Sequence, residues 1–174
     1  MATIYRVPEL IEGAKDRIIV EIQANIATAL LLVAQSHLDP QTGGSDGIDT
    51  PVPDQDRYYI SELIEPVRVP SIFVIGDRTD HDLARGQQFF DQDHRILVGV
   101  VTDDAQSVQN LTRKVERYAQ ALVIVLHDQN IGPLHVLVEG VDYSPVLVRA
   151  SAADRVFRKD ATLRCKVMHM EAFN

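Results

Sequence analysis

Apolar positions along the chain fall into two rhythms. Ile11, Ala14, Ile18, Ile22, Ile26, Ala29 and Val33 recur at steps of three and four, which places them on one side of a helix. Lys15, Asp16, Glu21 and Gln23 lie mostly off that stripe. Pro8, followed by Glu9 and Glu12, supplies a helix start: proline fits the first turn, and early acids suit the positive end of the dipole. The pattern predicts a helix over residues 8–36, about 40 Å long at 1.5 Å per residue. From Ala29 to Val33 it is apolar nearly all round, which predicts cover on more than one side, by the domain or by another subunit. A second stripe, Val108, Leu111, Val115, Tyr118, Leu122 and Val125, predicts a helix over 104–127. Arg113, Lys114, Glu116, Arg117 and Gln120 lie on its opposite side. Asp103 or Asp104 is its expected N-cap, His127 complements its negative end, and Asn130, Gly132 and Pro133 mark its stop.

The other rhythm is alternation, the mark of strands. Residues 57–63 and 70–75 read as short strands, the second halted at Gly76 and Asp77, and 77–86 reads as a polar turn. In the strand predicted over 89–102, Ile96, Val98 and Val100 share one face while Leu97, Gly99 and Val101 share the other. Apolar character on both faces suits a central strand. Residues 134–143 form another, with a continuation over 146–149, and 151–154 reads as a turn. In the last, over 162–171, Leu163, Cys165 and Val167 point one way, and Arg164, Lys166 and Met168 the other. The order α-β-β-β-α-β-β predicts an α+β fold, a mainly antiparallel sheet of about five strands with two long helices packed on one face. One domain is expected over 1–174, without internal repeats. Its long Pro/Gly/Asp-rich loop, over about 38–56, reads as a solvated insertion or as a contact arm that orders on assembly.

Composition narrows the classes. The chain has 174 residues, 45% of them hydrophobic, enough to build a core without staples. Seventeen Lys and Arg stand against 25 Asp and Glu, a net charge of −8, which argues against a protein that coats nucleic acid. The start of the chain lacks the pattern of a targeting peptide. Its longest apolar run, 26–34, is far shorter than the roughly 20 residues of a membrane span, so a soluble protein made in the cytoplasm is expected, with no membrane partner.

The search for chemistry returns little. There is no Walker-type loop, no GxGxxG and no GxSxG. Cys165 reads as a buried structural thiol, because its neighbours Arg164 and Lys166 point to the other face. Asp77, Asp80, His81 and Asp82 form the strongest metal-like cluster. Asp91, Asp93 and His94, with Asp103 and Asp104, flank the predicted central strand. A small metal-dependent enzyme using the Asp77/Asp80/His81 and Asp91/Asp93/His94 groups is therefore the alternative from a different class, although neither group matches a strong ligand spacing. No catalytic residue, cofactor or metal is assigned. Arg155, Arg158, Lys159, Arg164 and Lys166 form the one basic concentration, and Asp46, Asp49, Asp54 and Asp56 of the loop are its natural counterpart in an adjacent copy.

One resemblance adds to this reading. The residues are His94-Arg-Ile-Leu-Val-Gly-Val-Val-Thr-Asp103, Leu111-Thr-Arg-Lys-Val-Glu-Arg-Tyr118-Ala-Gln-Ala-Leu122, Val138-Glu-Gly-Val-Asp-Tyr143-Ser-Pro145 and Phe157-Arg-Lys-Asp-Ala-Thr-Leu163. Over about 72–171 this resembles the tail terminator and related tail-completion or minor tail proteins of long-tailed bacteriophages. There an apolar strand precedes a helix with an Arg-Tyr-x-x-Ala-Leu-like segment, and a late strand follows. The resemblance rests on pattern and order. It implies a virion protein without catalytic residues, a subunit of a homo-oligomeric, usually hexameric ring. That ring would cap the head-proximal end of the tail tube, stop its polymerisation and meet the head–tail connector or neck protein. Genomic DNA would pass through its lumen without specific binding, as a net negative ring allows. Another neck or head-completion subunit is the near alternative. Ring closure needs two different surfaces on each subunit. The expected pair is a polar sheet face and the apolar end of the first helix.

Overall fold

The computed structural model describes residues 11–38, 41–60, 68–82, 91–150 and 155–169. Its order is α1 (Ile11–Ser36), a 3-10 turn (Gln55–Arg57), β1 (Tyr58–Tyr59), β2 (Ser71–Asp82), β3 (Asp91–Asp104), α2 (Val108–Leu126), β4 (Gln129–Ile131), β5 (Leu134–Tyr143), β6 (Leu147–Ala150) and β7 (Arg155–His169). The α+β class stands, but the sheet is larger than expected and mixed. It has seven strands in the order β1-β2-β3-β7-β5-β4, with β6 also on β7. The β1–β2 pair is parallel, whereas the other pairs are antiparallel.

Both helices pack on one face. From that face α1 buries Ile18, Ile22, Ile26 and Val33, and α2 buries Leu111, Val115, Tyr118 and Leu122. They meet Ile72 and Val74 of β2, Ile96, Val98 and Val100 of β3, and Leu163, Cys165 and Val167 of β7. The helices run antiparallel, as the contact of His37 with Gln120 at 3.4 Å and the approach of Arg17 to Gly132 show. By length and composition α1 would also suffice to cross a membrane, since an 18-residue window reaches a mean hydropathy of 1.7. The core helix of a soluble protein passes the same test, and here the Ile18-to-Val33 stripe is buried in the core.

Several boundaries moved for physical reasons. Instead of halting at Gly76, β2 crosses a bulge between Gly76 and Arg78 and runs on to Asp82, paired with β3. Cross-strand partners there outweigh the turn preference of the polar residues. The expected turn thus loses 77–82, and its remainder, 83–86, lies outside the described residues, as does the 151–154 turn. The expected strand over 57–63 keeps two residues, with 61–63 outside the described set. The last strand starts earlier, at Arg155. Ser107, not Asp103 or Asp104, caps α2, accepting from the N–H groups of Gln109 and Asn110. Asp104 braces the preceding turn, accepting from Gln106 N at 2.8 Å and Ser107 N at 2.9 Å. The helix-stop residues form a hairpin instead of a plain loop. Gly132, at φ +61°, turns β4 back onto β5.

Two details shape the sheet. The Phe73 ring lies over Gly99 so closely that a Cβ there would sit 1.9 Å from a ring carbon. The lane beside β7 is broken between β5 and β6 at Ser144, Pro145 and Val146. Ser144 bridges the break: its N–H donates to Asp160 O at 3.0 Å, and its hydroxyl accepts from Asp160 N at 3.0 Å.

Candidate assembly surfaces

The Pro/Gly/Asp segment is not a free insertion. Its described part, 41–56, is tied to α2 by two consecutive side chains. Arg117, 4% exposed, donates to Ile48 O at 3.0 Å and to the Asp46 carboxylate at 2.5 Å. Tyr118, fully buried, donates its hydroxyl to Pro51 O at 2.5 Å. Ile48 and Pro53 are buried in the process. Gly43 and Gly47, at φ +65° and +76°, provide the left-handed turns a side chain would resist. The Arg117 guanidinium holds the Asp46 carboxyl below the usual range, and the Ile48 N–H adds to this. Burial, with the nearby Asp49 charge, pushes the Tyr118 phenol well up, so it stays a donor.

The other acids of the strap stay at the surface. Asp54 pairs with Arg57 at 2.6 Å, and Asp49 and Asp56 are exposed. The basic residues of β7 divide between the two faces of the sheet. Arg158, Arg164 and Lys166 face away from the helices, where Arg164 meets Asp142 at 3.0 Å and Lys166 meets Asp93 at 2.7 Å. Asp103, opposite Arg158, is pushed up by burial, and Arg158 pulls it partly back. Lys159 turns to the helix side and stands 6.0 Å over the Tyr143 ring. Arg155 pairs in register with Ala150, and its side chain lies outside the described residues. Thus the acids of the strap sit on the helix layer and most of the basic set on the opposite face.

That opposite face carries a balanced charge lattice. Arg78 reaches Asp80 at 3.2 Å, and Arg95 contacts Glu139. With the Arg164–Asp142 and Lys166–Asp93 pairs, each of these cations has a carboxylate beside it.

The metal-like groups disperse. Asp93 lies on the lattice face, whereas neighbouring His94 turns inward, 2% exposed, its Nδ1 3.0 Å from Thr79 Oγ1. Neighbours on a strand point to opposite faces, so these two do not share an ion. Asp77 is exposed and Asp80 engages cations. The side chains of His81, Asp82 and Asp91 lie outside the described residues. Among the described residues no three His, Cys, Asp or Glu side chains converge as a metal site requires. Cys165 is buried, and burial, with the Glu139 charge, pushes its thiol up to about 12.

No protein-family model matches the chain, and no curated protein matches it. Among solved structures it is similar to a chain of the "Virion of native gene transfer agent (GTA) particle", at 19% identity and a TM-score of 0.31, over 84% of this chain and 94% of that one. Likeness at that level says nothing of function.

Two further surfaces have no partner among the described residues. Among the described residues β1 covers β2 at Ile72 and Phe73, and β4 covers β5 at 134–136, leaving most of both outer edges open. The apolar end of α1 is half covered. Ala29, Leu30 and Val33 are buried by the domain, while Leu31 and Leu32 remain exposed. Arg117 was placed by periodicity on the solvent side of α2, and only the fold shows what it holds. The sequence itself offers only a long acidic loop and, about fifty residues later, a helix with adjacent Arg117 and Tyr118.

Proposed function

We propose that this chain is a structural virion protein of the phage type, a tail terminator whose copies close into a ring on the head-proximal end of the tail tube. The observation that carries the reading is the pair of edges of one sheet left open among the described residues. Along the order β2-β3-β7-β5 each neighbour is antiparallel, so β2 and the β5–β6 lane run in opposite directions. A second copy placed beside the first continues that alternation with its own β2. Two different edges in contact make a heterologous interface, which closes into a ring when the rotation allows. The sequence resemblance supports the tail role. In such a ring the charge lattice suits the lumen, because cations already held by carboxylates offer little to passing phosphate. The acids Asp49 and Asp56 on the helix layer are exposed and suit contact with an unlike surface of a neighbour.

The test is particle mass and shape, by light scattering and negative-stain microscopy, with and without assembled tail tubes. Rings, or binding at one tube end, are the expected result. A strict monomer that ignores tube ends would overturn the proposal.

A further inference from the structure

Where the C-terminal end of α1 meets α2 and the end of β5, the surface holds an apolar groove of about 440 Å³ that is open to solvent. Leu32 and Ser36 line it from α1, Val123 and Ile124 from α2, and Val141 and Tyr143 from β5. Leu32, Ile124 and Tyr143 are each about half exposed. The groove adjoins the stretch of β5 whose outer edge β4 leaves open. Single exposed apolar residues need no explanation, but large ones gathered round a concavity do. Small molecules are held in pockets that bury most of their surface. An open groove beside an unpaired strand instead suits an extended chain, whose alternate side chains reach into it. Burial, and after it the Glu116 charge, raises the Tyr143 phenol, so a carboxylate stands near the rim.

We infer that, in the ring proposed above, this groove takes residues 4–10 of the neighbouring copy, an arm exchange that depends on β2 of one copy meeting β5 of the next. Residues 1–10 lie outside the described residues, but the point where they join α1 is defined. The side chain of Ile11 lies on Gly76, where a Cβ would sit 2.7 Å from its Cδ1. Gly76 belongs to the stretch of β2 past Phe73 that β1 leaves open. The segment thus departs from the edge that the ring sets against β5 of the next copy. It does so on the helix side of the sheet, where that copy's groove lies. Reach excludes the chain's own groove. Leu32 is 21 residues along α1 from Ile11, about 31 Å. Residues 4–7 can lie at most about 14–25 Å from Ile11. The chemistry also fits. Ile4, Tyr5, Val7 and Leu10 are apolar, as the groove is. Thr3-Ile4-Tyr5-Arg6-Val7 is rich in β-branched and aromatic residues, and Pro8 biases Val7 to extended backbone, so the stretch suits a strand. Arg6 is the one cationic side chain of 1–10, and Glu116 beside Tyr143 is its counterpart.

Cross-linking between copies is the test. Full chains carrying Tyr5→Cys alone and Ile124→Cys alone are mixed, with assembled tail tubes present, and treated with a short bismaleimide. The parent, whose one thiol is the buried Cys165, is the blank. The expected result is a mixed dimer, and a ladder of multimers when both substitutions are in one chain. Tyr5→Cys with Val20→Cys, at an exposed position off the groove, should give neither. Tyr5→Asp and Ile124→Asp should each weaken assembly by about tenfold or more. Ile124 is outside the core, and circular dichroism confirms folding of each variant. Cross-links confined to single chains, with no mixed dimer, overturn the inference. So does assembly that both Asp variants leave intact. Rings or tube-end binding without any cross-link remove the arm exchange and leave the terminator reading standing. Mixed dimers in a chain that forms no ring and ignores tube ends do the reverse. A chain with neither cross-links nor assembly overturns both.

Discussion

Replacing Arg117 by methionine removes the guanidinium and keeps much of the stem's volume. The loss falls on two acceptors. Ile48 O at 3.0 Å loses its donor in a buried setting, and the Asp46 carboxylate at 2.5 Å loses its cation. Hydrogen bonds to charged groups contribute about 1.5–3 kcal/mol. Breaking a wholly buried pair costs about 3–5 kcal/mol. Arg117 is buried, but the Asp46 side chain is 30% exposed and finds water when abandoned, so its share shrinks toward that of a surface pair. The sum is about 2–3 kcal/mol, a large fraction of a marginal total. It should appear twice: as a lower urea midpoint at unchanged slope, and as faster hydrogen exchange in 44–52 relative to the β3 core. Arg117→Lys should fall between, since an ammonium replaces the charge but not the fork. A methionine variant within about 0.5 kcal/mol of the parent, with the strap equally protected, would refute the claim that this residue fastens it.

Other consequences are equally direct. Tyr118→Phe leaves Pro51 O without its donor and should cost about 1–2 kcal/mol in chemical denaturation, again with a loosened strap. Gly99→Ala should lower the melting temperature by an amount equivalent to about 1–3 kcal/mol of overpacking, and Phe73→Leu in the same chain should recover part of it. Asp46 is held low by Arg117, and Asp104 is held low by Lys114 and two backbone N–H groups despite burial that raises it. Both therefore contribute stability that is fully present above the unfolded carboxyl range, near 4, and lost as pH falls through their lower folded values. Asp46→Asn with Asp104→Asn should flatten the acid limb of a stability–pH curve. Cys165, its thiol raised to about 12 by burial, should resist a thiol reagent at pH 8 and react once urea unfolds the chain.

The sequence made some of this legible and not the rest, for identifiable reasons. Both helices and β5 were readable because one apolar face meets one core, and periodicity reports that directly. The far half of β2 was not, since the polar run with Asp77 and Asp80 favours a turn until β3 pairs with Arg78 through Asp82 around the bulged Asp77. Helical periodicity also assumes that a helix has a single covered side. Arg117 defeats that assumption, because a separate segment folds over the flank where it lies. The division of the basic β7 residues between two faces was half visible: alternation set Arg164 and Lys166 outward, but the attraction of Lys159 to Tyr143 depends on β5 lying alongside.

The gap between β5 and β6 has a consequence for how copies avoid clumping. Pro145 has no N–H to offer, and Ser144 spends its donor and its hydroxyl on Asp160. An otherwise long outer lane is thereby cut into two short templates, each a few residues of backbone with its own alignment. A misaligned strand gains only one short stretch before it meets the proline, so fibre growth along this border stalls early. A strand that carries its own interruption at the matching place engages both stretches at once. The break thus works like the notch of a key, favouring one alignment over the many that a smooth border would accept.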